Sequence, residues 1–443
     1  MFKFLKKLWR DRRGNALVIA AASLPLIVGS AGLAVDTMEW TVVKRQLQRA
    51  ADSAALAGVY GKLASQTVTT GSCTTAINPA IAQDLATGSV STRLGTTPTC
   101  AVQAPPTSGL WTAASWKSVK VTISASREMA FSGLFLSTAP TITASATAAM
   151  VQNGKYCMIS MDNNVERGID FTGTPNVNLG CGLKTNARGA NAIDCGGNSV
   201  ITATPVAAVG QITPCSNFGT GTTFQNYAPP QTDPYGTVPA PTVPSPCNQQ
   251  LSYNGQTTSV TLTGTSATSP TTVCYTDFTV GSGKTFTGTD LTIIINKSGN
   301  GASNGNLNIQ GTVDCNRCVF VLTSSDSSAS PTIGNVDINA GAHLTLHAPT
   351  NGTYAGILIY QDRRSSSCGN WCNHINGDST SVLDGAIYMP KQEVQINGGS
   401  GMTTNCLQTV AWRIQFSGNT SVNNNCTGSN GHSFDGYMVR LVE

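Results

Sequence analysis

The longest apolar pattern near the start of the chain is an uncharged run of twenty residues from Ala16 to Val35. An α-helix rises about 1.5 Å per residue, so a helix of that length crosses the hydrocarbon core of a bilayer. Six basic side chains precede the run within residues 1–15, and such a flank stays in the cytoplasm. The pattern predicts a basic cytoplasmic tail at 1–15, a transmembrane helix at 16–35 and an exported remainder. A cleaved signal peptide, usually with a shorter apolar region, is the alternative.

Beyond the apolar run, an apolar stripe continues with spacings of three and four residues, which is the period of one helix face. Its residues, here called the seam, become smaller along the chain: Trp40, Val43, Leu47, Ala50, Ala54, Ala57 and Gly61. Small residues let another backbone approach closely, so the seam is predicted to contact a partner helix. The alternative is that it packs on the next domain of the same chain, as most amphipathic helices do.

Two strands are predicted behind the long helix. Residues Val119–Ile123 alternate between apolar and polar side chains, and a second candidate covers Thr141–Val151. The apolar stretch Phe131–Leu136 between them is expected to be a turn or loop packed on the sheet. Together with the helix, these strands predict a small α+β unit over 36–151.

After residue 150, a short phrase recurs at least six times: an apolar residue, then Gly, a few small polar residues and more apolar positions. Instances begin at Phe171, Phe286, Ile309, Ile338, Ile396 and Phe416. Short strands broken by Gly and Asn are typical of a solenoid whose coils bury their inward residues against one another. The pattern predicts a parallel β-helix over 152–443 with an extended Pro-rich insertion at 228–246. A β-sandwich is the alternative, because its short strands and turns look similar in sequence.

Composition and charge narrow the class of protein. Charged residues make up 11% of the chain, well under the usual quarter. Residues 1–15 carry a net charge of +5, so the net charge of +4 leaves the remaining chain close to neutral. A broad basic face for nucleic acid is therefore excluded.

The cysteines indicate an oxidising compartment, because all 14 lie beyond residue 70 and their number is even. The disulfide candidates are Cys73, Cys100, Cys157, Cys181, Cys195, Cys215, Cys247, Cys274, Cys315, Cys318, Cys368, Cys372, Cys406 and Cys426. Spacing alone cannot fix their connectivity. Short separations suggest three local bridges: Cys315–Cys318, Cys368–Cys372 and Cys181–Cys195.

Two N-terminal phrases carry a family resemblance: Arg12–Ile19 leading into the apolar span, and Gln46–Gly58 on the following helix. They resemble the N-terminal region of TadG-like proteins of the bacterial Tad (tight adherence) system, which assembles Flp pili. Relatives that are processed as pilins carry Glu five residues after the cleavage glycine, whereas Ile19 stands at that distance from Gly14. The C-terminal phrase Gly385–Pro390 is also similar to TadG-like chains. The resemblance implies a pilin-like layout for the α+β unit.

Three groups of residues could carry chemistry. Cys315, Cys318, Cys368, Cys372 and His374 have spacings that can bind zinc, but disulfides are expected in an exported chain. Asp326–Ser330 matches a D-x-S-x-S metal motif but is expected to be an ordinary loop. The acids Asp362, Asp378, Asp384 and Glu393 are expected to be solvated loop residues rather than the paired carboxylates of a glycosidase. No metal, cofactor or catalytic residue is therefore predicted.

The sequence predicts a single-pass inner-membrane protein that is not an enzyme and has its C-terminal domain in the periplasm or at the surface. The family resemblance implies a part in Flp pilus assembly, with other Tad or pilin-like membrane proteins as partners. The β-helix would serve for scaffolding or adhesion, and its candidate ligand is a surface or a polysaccharide. The alternative is a membrane-tethered β-helix that binds or cleaves polysaccharide.

Overall fold

The computed structural model describes most of the 443-residue chain. The described residues are 14–87, 97–127, 131, 133, 137–164, 167–213, 215–247, 249–252, 259–297, 304–368, 371–376, 378, 380–397, 402–404, 406–424 and 434–443. The predicted basic tail lies outside them except for its last two residues, as does Cys426. The described chain divides into two compact units: unit 1 contains 1–151 and 438–443, and unit 2 contains 152–437.

Unit 1 packs a long helix on an antiparallel sheet. Its helices are α1 (Gly14–Leu63), α2 (Pro79–Thr87) and a short 3₁₀ helix (Ala114–Trp116). Its strands are β1 (Gly71–Ser72), β2 (Thr99–Gln103), β3 (Val119–Ser126) and the first part of β4 (Thr141–Ser160). The order β1-β2-β3-β4 is antiparallel throughout, and β3 alternates between buried and partly exposed residues as its sequence predicts.

The long helix continues through Pro25 without ending there. Residues 19–63 form the one helix, among the described residues, that is long and apolar enough to cross a membrane. Its first half is largely exposed, including Leu26 and Leu33. The predicted N-terminal apolar helix is therefore confirmed.

Unit 2 consists of short strands. They are the end of β4, β5 (Ile169–Gly173), β6 (Asn176–Asn178), β7 (Gly182–Thr185), β8 (Ile193–Cys195), β9 (Val200–Thr202), β10 (Val206–Ala208), β11 (Phe224–Gln225), β12 (Gln249–Ser252), β13 (Val260–Thr263), β14 (Thr271–Val280), β15 (Thr285–Lys297), β16 (Leu307–Ile309), β17 (Thr312–Ser324), β18 (Val336–Ile338), β19 (His343–His347), β20 (Ile357–Gln361), β21 (Asn373–Ile375), β22 (Val382–Met389), β23 (Val394–Asn397), β24 (Met402–Thr404), β25 (Cys406–Ala411), β26 (Ile414–Gly418), β27 (Ser421–Asn424) and β28 (Phe434–Leu441), whose last residues belong to unit 1.

The pairs formed among β5 to β27 are parallel, and they line up in ladders. A first ladder runs in the order β14-β15-β17-β20-β22-β25-β4-β7-β10-β11. A second runs β14-β16-β18-β21-β23-β26-β5-β8. Two shorter ladders, β13-β15-β17-β19-β22 and β24-β27-β6-β9, place the segments of unit 2 in the same order. Apolar residues of these strands form one continuous core, including Phe171, Phe286 and Phe416.

The order of strands in the ladders is permuted relative to the sequence. The late strands β25, β26 and β27 pair with β4, β5 and β6, so the first strands of unit 2 lie inside the ladders rather than at their ends. At this junction the rings of Phe171 and Phe416 stack with centroids 4.9 Å apart. The chain must consequently return from β11 at one end to β12 near the other.

That return is made by residues 226–247, here called the strap, which include the predicted Pro-rich insertion. The return from β11 to β12 crosses ten strand spacings, nine along the first ladder to β14 and one more to β12, which requires about 48 Å at roughly 4.8 Å per strand. A polyproline-like chain rises about 3.1 Å per residue, so the strap is long enough when extended. Prolines suit it because an extended connection needs no ladder hydrogen bonds of its own.

An N-terminal apolar helix followed by a mostly β chain is thus confirmed. The large sheet is mixed, because β1 to β4 pair antiparallel and the later strands pair parallel. The C-terminal domain was predicted to extend to residue 443, whereas residues 438–443 belong to unit 1. There Thr147 donates its backbone N–H to the Glu443 carbonyl at 2.8 Å.

Candidate functional site

The seam lies mainly inside unit 1. Val43, Leu47, Ala50 and Ala54 are buried in one cluster with residues of β3 and β4. Gly61 is buried as well, Ala57 is partly buried, and Trp40 is exposed. This burial favours the alternative that the seam packs on the same chain, and a seam contact with another protein stays a prediction.

The close helix partner that small seam residues permit is present within unit 1. A Cβ added at Gly61 would lie 2.9 Å from the Cβ of Ala80, which belongs to α2. One turn earlier, a Cβ at Gly58 would lie 2.8 Å from Cγ1 of Val119 on β3. Real side chains do not approach so closely, so glycine is required for α2 and β3 to pack against α1.

The exposed end of the seam borders an open groove. Trp40 lines it with Thr37, Thr41, Lys44 and the start of β4, and its volume is about 370 Å³. The Lys44 ammonium donates to the carbonyl of Thr143 across the groove. Trp40 is 56% exposed, so the indole is the one seam side chain largely open to a partner among the described residues.

In unit 2 the strap is fixed over a row of tyrosines on the first ladder. Tyr360 and Tyr388 stack with centroids 5.0 Å apart. The Tyr388 hydroxyl donates to the Asp233 carboxylate of the strap at 2.6 Å. The Arg363 guanidinium donates to the strap carbonyls of Gly236 and Val238. The strap is therefore held by side chains from two neighbouring parts of the first ladder, β22 and the residues that follow β20.

Burial changes the pKa values of groups under the strap. Desolvation, followed by the hydrogen bond to Asp233, raises the pKa of Tyr388 well above its usual value. Burial raises the pKa of Tyr156 to about 12. It lowers the pKa of Lys184 to about 8, because the buried ammonium loses its water. The Nζ of Lys184 lies 5.3 Å from the centroid of the Tyr156 ring. Lys184 is thus a buried cation with an aromatic neighbour.

Two of the acids expected in solvated loops are buried, so that expectation is wrong for Asp362 and Glu393. Burial alone would raise the pKa of Asp362, but hydrogen bonds from Arg364 and Thr323 lower it. Arg413 pairs with Glu393 at 3.0 Å. Each carboxylate is buried because a nearby arginine compensates its charge.

The D-x-S-x-S motif forms a local turn. The Asp326 carboxylate accepts the backbone N–H of Ser328 at 2.9 Å, and Arg364 donates to the Asp326 carbonyl. These contacts are those of a loop anchored to the residues that follow β20.

The two remaining acids, Asp378 and Asp384, lie 3.3 Å and 3.5 Å from histidines of β19.

The cysteines are paired in the described part of the chain. The predicted bridges Cys315–Cys318 and Cys368–Cys372 form. The predicted Cys181–Cys195 bridge is wrong. Cys181 bonds Cys157, because the parallel pairing of β4 with β7 places the two cysteines side by side. Cys195 bonds Cys215. The other bridges are Cys73–Cys100 and Cys247–Cys274, and Cys406 is also disulfide-bonded.

The zinc candidates are not brought together as one group. Glu393, rather than His374, lies beside the Cys368–Cys372 pair, with its Oε2 3.0 Å from the Cys368 Sγ. His374 lies 3.8 Å from Asp337 instead. The disulfide removes the thiolates that a zinc ion requires.

A basic pocket opens beside this disulfide region, with a volume of about 380 Å³. It is lined by Arg363, Arg364, Lys391, Trp412, Ala329, Ser330 and the serines at 365–367. The Lys391 ammonium lies 5.7 Å from the centroid of the Trp412 ring. Arg364 is neutralised by Asp362, while Arg363 and Lys391 make no carboxylate ion pair among the described residues. The pocket therefore presents positive charge, hydroxyl groups and an aromatic surface.

Sequence reasoning missed the strap anchors and the pocket. Asp233 and Tyr388 are 155 residues apart, and they meet because the strap passes over β22 of the first ladder. The available signal was the Asp233–Gly236 turn within the Pro-rich insertion, which carries a tyrosine and a carboxylate in an otherwise uncharged segment. Trp412 and Lys391 gave no comparable pattern.

Together, an exposed apolar helix, its packed α+β unit and a disulfide-linked β unit define a membrane-anchored type of chain. Residues 14–65 match the family model described as "Putative Flp pilus-assembly TadE/G-like". The resemblance is confirmed for the N-terminal segment, which is similar to TadE/G-like pilus-assembly proteins. No curated protein matches the chain.

Among solved structures, the competence-associated pilin ComZ from Thermus thermophilus is similar at 10% identity. The alignment covers 78% of this chain and 84% of that chain, with a TM-score of 0.23. A likeness at that TM-score carries no argument about fold or function. The pilus-assembly domain and the apolar helix support a role in pilus assembly and a single-pass membrane anchor.

Proposed function

We propose that this chain is a non-catalytic, membrane-anchored component of Flp pilus assembly in the Tad system. The observation that carries the proposal is the TadE/G-like match over residues 14–65, which coincides with the exposed apolar half of α1 and the helix that packs on the sheet. The basic residues before the span support a cytoplasmic N-terminus and an exported remainder.

Within this proposal, residues 36–151 form a pilin-like unit and unit 2 is a parallel β-helix used for scaffolding or adhesion. The consistent coil order of the parallel ladders and the continuous apolar core between them support the β-helix. Disulfides that join neighbouring coils suit a scaffold exposed to an oxidising compartment.

Contact with other Tad membrane proteins is proposed at Trp40, because the remaining seam is covered by the sheet and α2. The test is photocrosslinking in the native host, with a benzophenone amino acid placed at Trp40 and, as control, at exposed Val200 of unit 2. Crosslinks to Tad membrane proteins from position 40 alone are expected. No crosslink at position 40, or the same crosslinks in a strain lacking the other Tad proteins, would contradict the partner assignment.

The proposed topology has its own test. Protease added to spheroplasts should digest the chain beyond about Asp36 and leave the N-terminal segment protected. Protection of unit 2 in intact spheroplasts, with digestion after lysis, would place it in the cytoplasm and overturn the topology.

A second function, binding of an anionic polysaccharide, is favoured by the basic pocket with Lys391 and Trp412. Affinity electrophoresis in gels containing polygalacturonate should retard the protein, and Lys391→Gln should reduce the retardation. Lys155→Gln, which removes an exposed lysine elsewhere in unit 2, is the matched control. Equal mobility of the wild type with and without polysaccharide would eliminate this function.

A further inference from the structure

Two described residues of the connection between β3 and β4, Arg127 and Phe131, contact α1. The strands end at the pair Ser126 and Thr141, and the connection between them contains twelve consecutive uncharged residues, 129–140. At its start, Arg127 forms an ion pair of 2.7 Å with Glu39 of the helix. The loop thus begins beside a charged turn of α1.

Further into the loop, Phe131 contacts α1 at two positions closer to the N-terminus. Its backbone N–H donates to the Asp36 carboxylate at 3.1 Å. Its ring covers Gly32, where an added Cβ would overlap the ring atoms. Gly32 and Asp36 are buried, although the surrounding helix surface is exposed.

These contacts fix the depth of Phe131 relative to the apolar span. Asp36 is the first charged residue after Arg13, so it marks the outer end of the span. Gly32 lies one turn further inside, at about 6 Å along the helix axis. Apolar side chains at membrane surfaces are typically buried by about 5–10 Å, at the boundary between headgroups and acyl chains.

The neighbouring helix surface indicates what covers this position. Leu33 and Val35 flank the Phe131 contact and are 67% and 51% exposed. Any bilayer that covers these two side chains also reaches the half-exposed ring of Phe131. Trp40, exposed one turn beyond Asp36, is the residue type enriched at membrane interfaces.

We propose that Phe131, in the connection between β3 and β4, lies in the outer boundary layer of the lipid bilayer beside α1. This residue would give unit 1 a second attachment point to the bilayer and so restrict its tilt about the single helix. This inference rests on the proposed membrane anchoring of α1.

The test uses the full chain in vesicles of phosphatidylcholine and phosphatidylglycerol, with nitroxide labels on single introduced cysteines. Gly133→Cys reports on the loop tip, Ser126→Cys on the strand end of the same hairpin and Ala21→Cys on the middle of the span; all three positions are exposed. Oxygen, which concentrates in lipid, and a water-soluble nickel chelate measure the surroundings of each label. The ratio of oxygen to nickel accessibility should be severalfold higher at 133 than at 126, and highest at 21.

A second variant probes the contact itself. Gly32→Leu in the Gly133→Cys background should displace the Phe131 ring and lower the accessibility ratio at 133 toward that at 126. A lipid-exposed label at 21 with a water-exposed label at 133 would overturn the loop proposal and leave the anchor intact. Water exposure at both positions would instead contradict the anchor. Low accessibility to both reagents at 133 would indicate a protein partner and would also overturn the lipid assignment.

Discussion

The two units bury their cores by different means. Unit 1 packs one helix on an antiparallel sheet, and its core contains many alanines, including Ala51, Ala54 and Ala146. Unit 2 builds its core from Ile, Leu, Val and Phe side chains of many short parallel strands and carries disulfides between its segments. The first core depends on close approach of backbones, whereas the second depends on bulky side chains and on the order of strands in the ladders. Enlarging a small residue should therefore destabilise unit 1, and truncating a bulky residue should destabilise unit 2.

Phe416→Ala should cause the largest loss of stability, because Phe416 stacks on Phe171 where the late strand β26 pairs with β5. Truncating a buried Phe typically costs about 3–5 kcal/mol. Urea unfolding of the purified chain, followed by circular dichroism, should show the loss in the β unit. Phe224→Ala, at a partly exposed ring on the end strand, is the matched control. Equal small effects from both variants would argue against the permuted junction.

Removal of the Cys157–Cys181 bridge by the double change to alanine should destabilise unit 2 by about 2–4 kcal/mol, because the bridge restricts the unfolded chain. Thermal unfolding with and without reductant measures the effect. The wild type should lose at least as much stability on reduction, and the double variant correspondingly less. Abundant free thiols in unreduced, denatured protein from the envelope would refute the disulfide network.

Lys184 should make the stability of unit 2 depend on pH. Its folded pKa of about 8 lies below the unfolded value of roughly 10.4, so the unfolded state binds more protons between these values. The free-energy cost of burying the ammonium is fully present below about pH 8. The free energy of unfolding of unit 2 should therefore rise by up to about 3 kcal/mol toward pH 10.5.

Lys184→Met should remove most of this pH dependence and stabilise unit 2 at neutral pH. Urea midpoints at about pH 7 and about pH 9.5 give the comparison, because both values lie below about pH 10, where the tyrosines of the unfolded chain ionise. Exposed Lys155→Met is the control and should leave the slope as in the wild type. An unchanged slope in Lys184→Met would show that the lysine is not buried as a cation.

Ala54→Leu should have the smallest effect of the four and should act on unit 1. Ala54 is fully buried against the sheet, so added methylenes overpack the core and cost about 1–3 kcal/mol. Ala57→Leu, at a partly buried position of the same helix, should cost less. If Ala54→Leu leaves unfolding unchanged but abolishes crosslinks to Tad proteins, the seam contacts another protein rather than the sheet.

The sequence predicted some features well because their signals are local. The apolar run, the helix that follows it and β3 each depend on spacings of a few residues, and Cys315–Cys318 closes over a separation of 3. The partner of the seam could not be read from the stripe itself. A small-residue face fits a foreign helix and the chain's own α2 equally well.

The errors arise from contacts between distant segments. Pairing of β26 with β5 joins residues about 245 apart, as does the side-chain bond from Gln415 to Asp170, and no local pattern encodes that choice. The return of residues 438–443 to unit 1 has the same origin. The Cys181–Cys195 prediction was wrong on a shorter scale, because the bridges that form join cysteines 24 and 20 residues apart. Burial of Asp362 depended on Arg364, which was visible in sequence but not recognisable as its compensating charge.

The central claim, that the chain takes part in Flp pilus assembly through its anchored N-terminal domain, is tested most directly by piliation in the native host. A deletion strain should lack surface pili in electron micrographs and sheared-pilin immunoblots, and the full-length chain should restore them. A version with Leu24 and Leu26 both changed to Asp, which should prevent membrane insertion, should not restore them. Normal piliation in the deletion strain would contradict the account.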